Sequence, residues 1–370
     1  MSTGTTDTTR ITDSTGTSAV AHPHELGTTG RFLTPLALGC MLMGGRTDEA
    51  TSVRILDHFV GEVAPRFTAP DGTPALPLLD TADCYTWWDN PGTEGGQSEE
   101  VLGRWLAATG RRDQVFLATK GSGVVSPRDG LWDADGNADW DTARSRFVGA
   151  GADTLTRALD GSLRRLGVDH VDLYYVHVDD RSTPLEETLE ALAGLVTAGK
   201  VRYLGWSNVR TWRLERIRAL CERHGWPQPV AVQQQHSYLR RRAGLGHGSI
   251  VDDEQLDYLR ERRDLSLVAY SPILKGVYDV AKRPAASTAW ALEPYAGPDA
   301  DARFAAVDAL AAELGVTGNQ VVLAWLLHQA DPAVLPIVGP RTFEQYASAL
   351  PALDVRLTTE QLQRLDAAGA

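Results

Sequence analysis

The sequence predicts an α/β protein built as a closed (β/α)8 barrel, and three observations carry that prediction. Eight short apolar runs alternate with longer amphipathic ones from residue 36 onward, the pattern of parallel strands joined by crossover helices. No Gly-x-Gly-x-x-Gly follows the first run and opens a helix, which weakens the open dinucleotide-binding sheet that the same units could form. Three runs in succession end in or lead into polar groups: Asp80 and Tyr85 in LLDTADCY, Lys120 in VFLATK and His177 in VDLYYVH. A buried Asp, Lys or His is costly unless paired, whereas the C-terminal rim of a parallel barrel is where such groups converge around a substrate.

The elements follow in order. Strands are expected at LALG (36–39), PLLD (77–80), VFLATK (115–120), VDLYYVH (171–177), VRYLGWSN (201–208), VAVQQQ (230–235), LSLVAYSP (265–272) and VLPIVG (334–339). Each is short, apolar and bounded by turn residues. Helical periodicity places helices near 48–62, 97–109, 152–166, 185–198, 211–223, 252–263, 301–314 and 318–330. Two connections are long for a compact domain: the Gly- and Asp-rich 121–150 after the third strand, and 276–300 after the seventh. Both lie at the C-terminal face, where long loops serve as binding loops or lids. A shorter insertion at 64–76 precedes the second strand and lies at the opposite end.

Residues 1–24 are rich in Ser, Thr and Gly and lack an apolar stretch suited to a signal peptide, so they read as a disordered leader. Residues 25–370 contain no linker that would divide them, which predicts one barrel domain. A formal net charge of −12 disfavours nonspecific binding to nucleic acid or an anionic membrane. No run of about 18 apolar residues is present, so no membrane span is expected. Cys40, Cys84 and Cys221 are widely spaced and form no zinc-binding pattern; an odd, sparse count reads as reduced thiols in a cytoplasmic protein, with no metal expected. Cys84 precedes Tyr85, which puts an oxidisable thiol near the candidate site.

Taken singly, the polar strand ends have ordinary explanations. Asp80 could cap a turn, Tyr85 be a rim aromatic, Lys120 a solvated strand end and His177 a satisfied core histidine. Their convergence on successive strand ends favours an enzyme.

The segments LGTTGRFLTPLALGCMLMGG, LLDTADCY, NPGTEGGQSEEVLGRWL, ATK, VDLYYVH, AGKVRYLGWSN, VAYSP and IVGPRTFEQ, in this order, resemble the aldo-keto reductase superfamily from about Leu26 to the C-terminus. The resemblance implies a TIM barrel that binds NADPH, with NADH a weaker alternative, and reduces a small-molecule aldehyde or ketone. It implies a catalytic tetrad of Asp80, Tyr85, Lys120 and His177. In that scheme Tyr85 gives a proton to the developing alkoxide, Lys120 makes the phenol more acidic, Asp80 braces Lys120, and His177 positions the carbonyl oxygen.

The resemblance also implies the cofactor residues. Gly39, Cys40 and Met41 lie at the end of the first strand. Ser207 and Asn208 would hold the nicotinamide carboxamide with help from Gln233, and Tyr270 would stack under the ring. Ser271, Leu274 and Lys275, with Gly339, Arg341 and Gln345 at the start of the helix after the eighth strand, would hold the phosphates, and Arg341 is the candidate for the 2′-phosphate. Three features depart from the family pattern: Ser348 and Ala349 stand where an acidic residue and Asn usually hold adenine, Val338 replaces a proline, and QQQH leaves His236 without a role beyond packing. Trp87 and Trp88 are expected to line the substrate pocket, with Trp132 and Trp140 extending the wall and Asp179, Asp180 and Arg181 available to hydroxyls. This set suits a sugar ring, an aromatic ketone or a polyketide, and a polar rim with aromatic walls favours a hydroxylated substrate.

One competing reading is a cofactor-binding regulatory protein resembling a channel β-subunit; another is a barrel hydrolase or lyase that uses Asp80 and a second carboxylate. The outer helices carry no long apolar stripe, so a monomer is the default expectation.

Overall fold

The computed structural model describes residues 21–133, 138–245, 248–281, 283 and 292–369. Eight parallel strands close into a barrel: β3 (Ala37–Gly39), β4 (Leu78–Asp80), β5 (Phe116–Gly121), β6 (Val171–Val176), β7 (Val201–Ser207), β8 (Pro229–Gln235), β9 (Ser266–Tyr270) and β10 (Val334–Val338), with β10 hydrogen-bonded to both β9 and β3. All eight expected strands form, within one or two residues of their expected ends.

The strand residues divide by a period of two. Ala37, Leu78, Phe116, Ala118, Leu173, Tyr175, Ala231, Val268, Leu335 and Ile337 cluster inside the barrel. Their neighbours Leu38, Leu79, Leu117, Tyr174, Leu204, Val232 and Leu267 point outward and join the helices in the larger core. Apolar residues on both faces explain why the strands read as continuous runs rather than alternating ones. Counting two residues up from the interior set gives Asp80, Lys120, His177, Gln233 and Tyr270. The candidate polar residues therefore cap the same columns that fill the barrel.

Helices Glu49–His58, Gln97–Thr109, Ala152–Leu166, Leu185–Thr197, Thr211–His224, Asp253–Glu261, Ala300–Leu314 and Gly318–Leu327 form the outer layer. Several starts are fixed by side-chain caps, among them Asp48 accepting from Thr51 N and the reciprocal Thr317–Gln320 capping box. The first expected helix, 48–62, is α-helical only to His58 and continues as a π-helical turn at Phe59–Val63. A helix at Thr359–Ala367 has no counterpart in the expected set. Among the described residues no single helix is long and apolar enough to cross a membrane.

The N-terminal boundary differs from expectation. Residues 1–20 of the expected leader lie outside the described residues, but Ala21 and His24 are buried. His24–Glu25 forms β1, which pairs antiparallel with β2 (Phe32–Leu33). His24 Nε2 meets Ser266 Oγ at 2.9 Å, and Gly27 N donates to the same oxygen. Ser266 opens β9, and Leu26 and Leu33 enter the interior cluster, so this hairpin plugs the N-terminal mouth of the barrel.

The described residues of the 121–150 loop are folded. It contains a short helix, Trp140–Arg144, and antiparallel bridges Val125↔Phe147 and Trp132↔Ala138. Much of the second expected loop, at 282 and 284–291, lies outside the described residues.

Candidate active site

At the C-terminal ends of β4, β5 and β6, Asp80, Tyr85, Lys120 and His177 come together, all buried. Lys120 Nζ lies 2.5 Å from Asp80 Oδ1, donates to the Thr81 carbonyl at 2.8 Å, and is 3.0 Å from the Tyr85 hydroxyl. The second oxygen of Asp80 accepts from Gln233 Nε2 at 2.7 Å. An ammonium removed from water requires such partners, and here strand ends, a turn carbonyl and a phenol supply them. The Tyr85 ring stands edge-on to the His177 imidazole, with centroids 5.5 Å apart.

The electrostatics differ from expectation in one respect. Burial pushes the Tyr85 phenol well above its ordinary value, and the charge of Asp80 adds to the effect. The expected acidification by Lys120 is not the net result, because the ammonium is shared with a carboxylate and the phenolate would be desolvated. His177 is held well below its ordinary value by burial, and the Lys120 charge acts in the same direction, so its imidazole is neutral near neutral pH. Its Nδ1 contacts Cys84 Sγ at 3.5 Å. Burial likewise raises the Cys84 thiol well above its usual range.

Behind this group lies a second buried set. Glu99, at 0 % exposure, accepts from Thr119 Oγ1 at 2.5 Å and from Arg165 Nε at 2.7 Å. Asp83 faces it, and burial first and then the Glu99 charge push its carboxyl up to about 7.

The β7, β8 and β9 ends carry the next cluster. Asn208, at a left-handed φ of 54°, donates to the His177 carbonyl at 2.8 Å and accepts from Tyr270 OH at 2.9 Å. Ser207 Oγ donates to the Gln233 carbonyl at 2.8 Å. The Gln233 amide nitrogen is turned to Asp80, where it braces the ion pair. Ser271, Leu274 and Lys275 all adopt positive φ, an unusual density for non-glycine residues. Gly39 and Gly339 face each other at the first and last strand ends; a side chain on Gly339 would meet nothing nearer than the Gly39 carbonyl, at 3.8 Å.

Other cofactor candidates are placed differently from one another. The Cys40 side chain is fully buried in the helix-side core and turns back to the Leu38 carbonyl, so only its backbone can face a ligand. Met41 packs with Ala82, Cys84 and Tyr85. Arg341 is exposed; its N–H donates to Gln345 Oε1 at 2.9 Å, and its carbonyl accepts from Thr47. Ser348 Oγ donates to the Gln345 carbonyl of its own helix. His236 packs against Trp325, and burial lowers it to about 4.

Sequence reasoning missed Arg46 and Asp89. Their side chains pair at 2.6 Å, and Arg46, Lys275 and Arg341 all act on the Asp89 carboxylate. Three cations from three loops thus gather around one anion. Neither residue carries a motif, because the pairing depends on how the loop after Tyr85 folds back.

The three substrate candidates separate. Trp88 is half-buried and stacks on His177 with centroids 4.4 Å apart, flanked by Trp140 at 5.5 Å and Phe147 at 6.0 Å. Its indole N–H donates to the Gly123 carbonyl. Trp87 is instead 3 % exposed, edge-on to Trp132 and capped by Arg128, so it supports the loop from beneath. Asp179 is engaged by Arg213 and Arg181, and its neighbour Asp180 accepts from Ala150, Ser182 and Thr183; both shape loops rather than face the rim. Phe147 was not anticipated, although Trp140 was.

A parallel barrel with a buried Lys–Asp–Tyr group at its C-terminal rim and an amide–hydroxyl–aromatic set beside it defines a class, the nicotinamide-dependent oxidoreductases of carbonyl compounds. Comparison with known proteins agrees: the sequence profile of the Aldo/keto reductase family matches residues 35–370. The chain belongs to that family. It is 33% identical over 347 residues to the uncharacterized oxidoreductase YrpG of Bacillus subtilis (strain 168), covering 92% of this chain and 94% of that protein. It is 29% identical over 301 residues to the NADP(+)-designated aldo-keto reductase yakc of Schizosaccharomyces pombe, covering 76% of this chain and 77% of that protein. Among solved structures, the thermostable aldo-keto reductase Tm1743, crystallised with the inhibitor epalrestat, matches with a TM-score of 0.63 and 25% identity over 94% of this chain and 99% of that one.

Proposed function

We propose that the protein is an NADPH-dependent reductase of aldehydes or ketones in which Tyr85 delivers the proton. The observation that carries this reading is the buried contact of Lys120 Nζ with both Asp80 and the Tyr85 hydroxyl, beside the Trp88–His177 stack. When bound, a reduced nicotinamide supplies hydride to the carbonyl carbon. The residues present suit that cofactor. The Asn208 amide and Ser207 hydroxyl offer the mixed donors and acceptors a carboxamide needs, and the Tyr270 ring offers it a flat apolar face. Arg46, Lys275 and Arg341 already surround a carboxylate, the charge pattern that a phosphate would exploit. Arg341 is assigned to the 2′-phosphate, and the NADP(+) designation of yakc supports that choice. Ser348 turns back on its own helix, so the adenine is not gripped there.

Proton delivery follows from the local electrostatics. With its phenol held well above the ordinary value, Tyr85 is fully protonated at working pH and serves as a donor. An alkoxide is more basic than a phenolate, so transfer to the substrate oxygen remains favourable, and Lys120 at 3.0 Å stabilises the phenolate left behind. The buried Cys84 thiol stays protonated and can donate to His177 Nδ1, which places the imidazole proton on Nε2, where it can steady the carbonyl oxygen. The Trp88, Trp140 and Phe147 faces favour a carbonyl attached to a flat ring system over an acyclic sugar.

The direct test is a panel of aromatic aldehydes, aromatic ketones and aldoses, followed by loss of reduced-nicotinamide absorbance with NADPH and with NADH. Turnover of aromatic carbonyls with a preference for NADPH is expected. An inert panel removes the reductase reading, sugar-only turnover removes the aromatic one, and a preference for NADH removes the assignment of Arg341.

A further inference from the structure

We propose that Asp83, Cys84 and His177 form a binding site for a thiophilic divalent transition metal of the Zn2+ class. One ligand atom from each residue lies within 4.8 Å of the other two, and all three residues are buried. This revises the expectation of no metal, which rested on sequence spacing alone. Asp83 and Cys84 are adjacent in the turn after β4 while His177 ends the β6 run, so the set is assembled only by the barrel.

Three features point to a ligand rather than to incidental packing. The first is the edge length. A tetrahedral ion with Zn–S of about 2.3 Å and Zn–N of about 2.0–2.1 Å holds its sulfur and nitrogen roughly 3.6 Å apart, and Cys84 Sγ stands 3.5 Å from His177 Nδ1. The second is an orphan acceptor. Asp83 Oδ1 is buried with no hydrogen-bond partner of good geometry, in a residue only 8 % exposed whose carboxyl is otherwise served by its neighbour Cys84, and such atoms are rare unless something absent satisfies them. The third is access. A Cβ on Gly123 would stand 2.6 Å from His177 Nδ1, so any side chain there would crowd the nitrogen that Cys84 reaches.

A thiolate and a carboxylate supply two negative charges against a dication, and the neutral imidazole adds none; the neighbouring cations Lys120 and Arg165 are paired with Asp80 and Glu99. Binding displaces the Cys84 proton to solvent. Soft sulfur with imidazole nitrogen selects Zn2+ or Co2+ over Mg2+ or Ca2+. Three protein ligands leave a fourth position for water. Metallation of Nδ1 would confine the ring proton to Nε2 and so lock the tautomer of His177, which couples the site to the chemistry proposed above.

The test is a Co2+ titration of the full-length protein in a thiol-free buffer, with no nicotinamide and no carbonyl, so its outcome is independent of the reductase reading. A thiolate-to-cobalt charge-transfer band that saturates at one equivalent is expected, with tetrahedral d–d bands that added Zn2+ abolishes. Cys84→Ser should remove the band, Asp83→Asn should raise the dissociation constant roughly tenfold or more, and Cys40→Ser and Cys221→Ser should leave it unchanged. If Cys84→Ser does not fold, Asp83→Asn decides by the same readout. Absence of the band, its survival in Cys84→Ser, its loss in Cys221→Ser, or an unaltered affinity in Asp83→Asn would overturn the proposal.

Discussion

Lys120 shows how much a single position demands of its surroundings. Its side chain is 0 % exposed and reaches a carboxylate, a carbonyl and a phenol, so each partner holds part of a charge that water would otherwise solvate. Replacing Asp80 with Asn keeps the shape and removes the counter-charge. Leaving one member of a buried pair alone costs about 3–5 kcal/mol, and that loss should appear as a lower urea midpoint at neutral pH. An unchanged midpoint would mean that Thr81 and Tyr85 suffice to solvate the ammonium. The identities of the four central residues were readable from the sequence because ionisable groups interrupted apolar strands. Their neighbours were not. Nothing in the pattern around Trp87 and Trp88 says which indole faces His177, because at the turn after β4 the backbone, with Thr86 at a φ of 82°, breaks any period that could be counted. The partner of Asp179 was hidden for a related reason, since Arg213 lies 34 positions away in the chain.

At the scale of elements, the strands were readable to within a residue or two because burial on both faces leaves an unmistakable apolar run. The hairpin His24–Leu33 was hidden by its brevity: two residues per strand carry no periodicity. It is nevertheless tied to the barrel through His24, whose imidazole is lowered from 6.5 to about 4 by burial. A histidine depressed in the folded state contributes stability that is complete above its unfolded value. That contribution is lost as pH falls from 6.5 towards 4, up to roughly 3 kcal/mol in all. Denaturant titrations of the wild type and His24→Gln at pH 7.5 and pH 4.5 isolate the effect. The wild type should lose more stability than the variant on acidification; parallel losses would show that the hairpin detaches without cost.

For the whole molecule, the barrel sends its polar residues to one end and closes the other with the hairpin and with the insertion whose Leu76 bridges to Leu33. The period-two register is the link between fold and chemistry: the residues that fill the barrel stand directly beneath those proposed to act on substrate. The family could be read from ordered motifs, whereas the Arg46–Asp89 contact and the Asp83–Cys84–His177 cluster could not, because both arise from loops brought together only by closure of the sheet. The proposed chemistry turns on Tyr85 donating the proton to the reduced carbonyl. Tyr85→Phe, which preserves the ring, tests it most directly by pairing turnover with NADPH-induced quenching of tryptophan fluorescence. Turnover should fall by about 10²–10⁴-fold while the quenching curve stays where it is in the wild type; wild-type turnover in the variant would rule out Tyr85 as the donor.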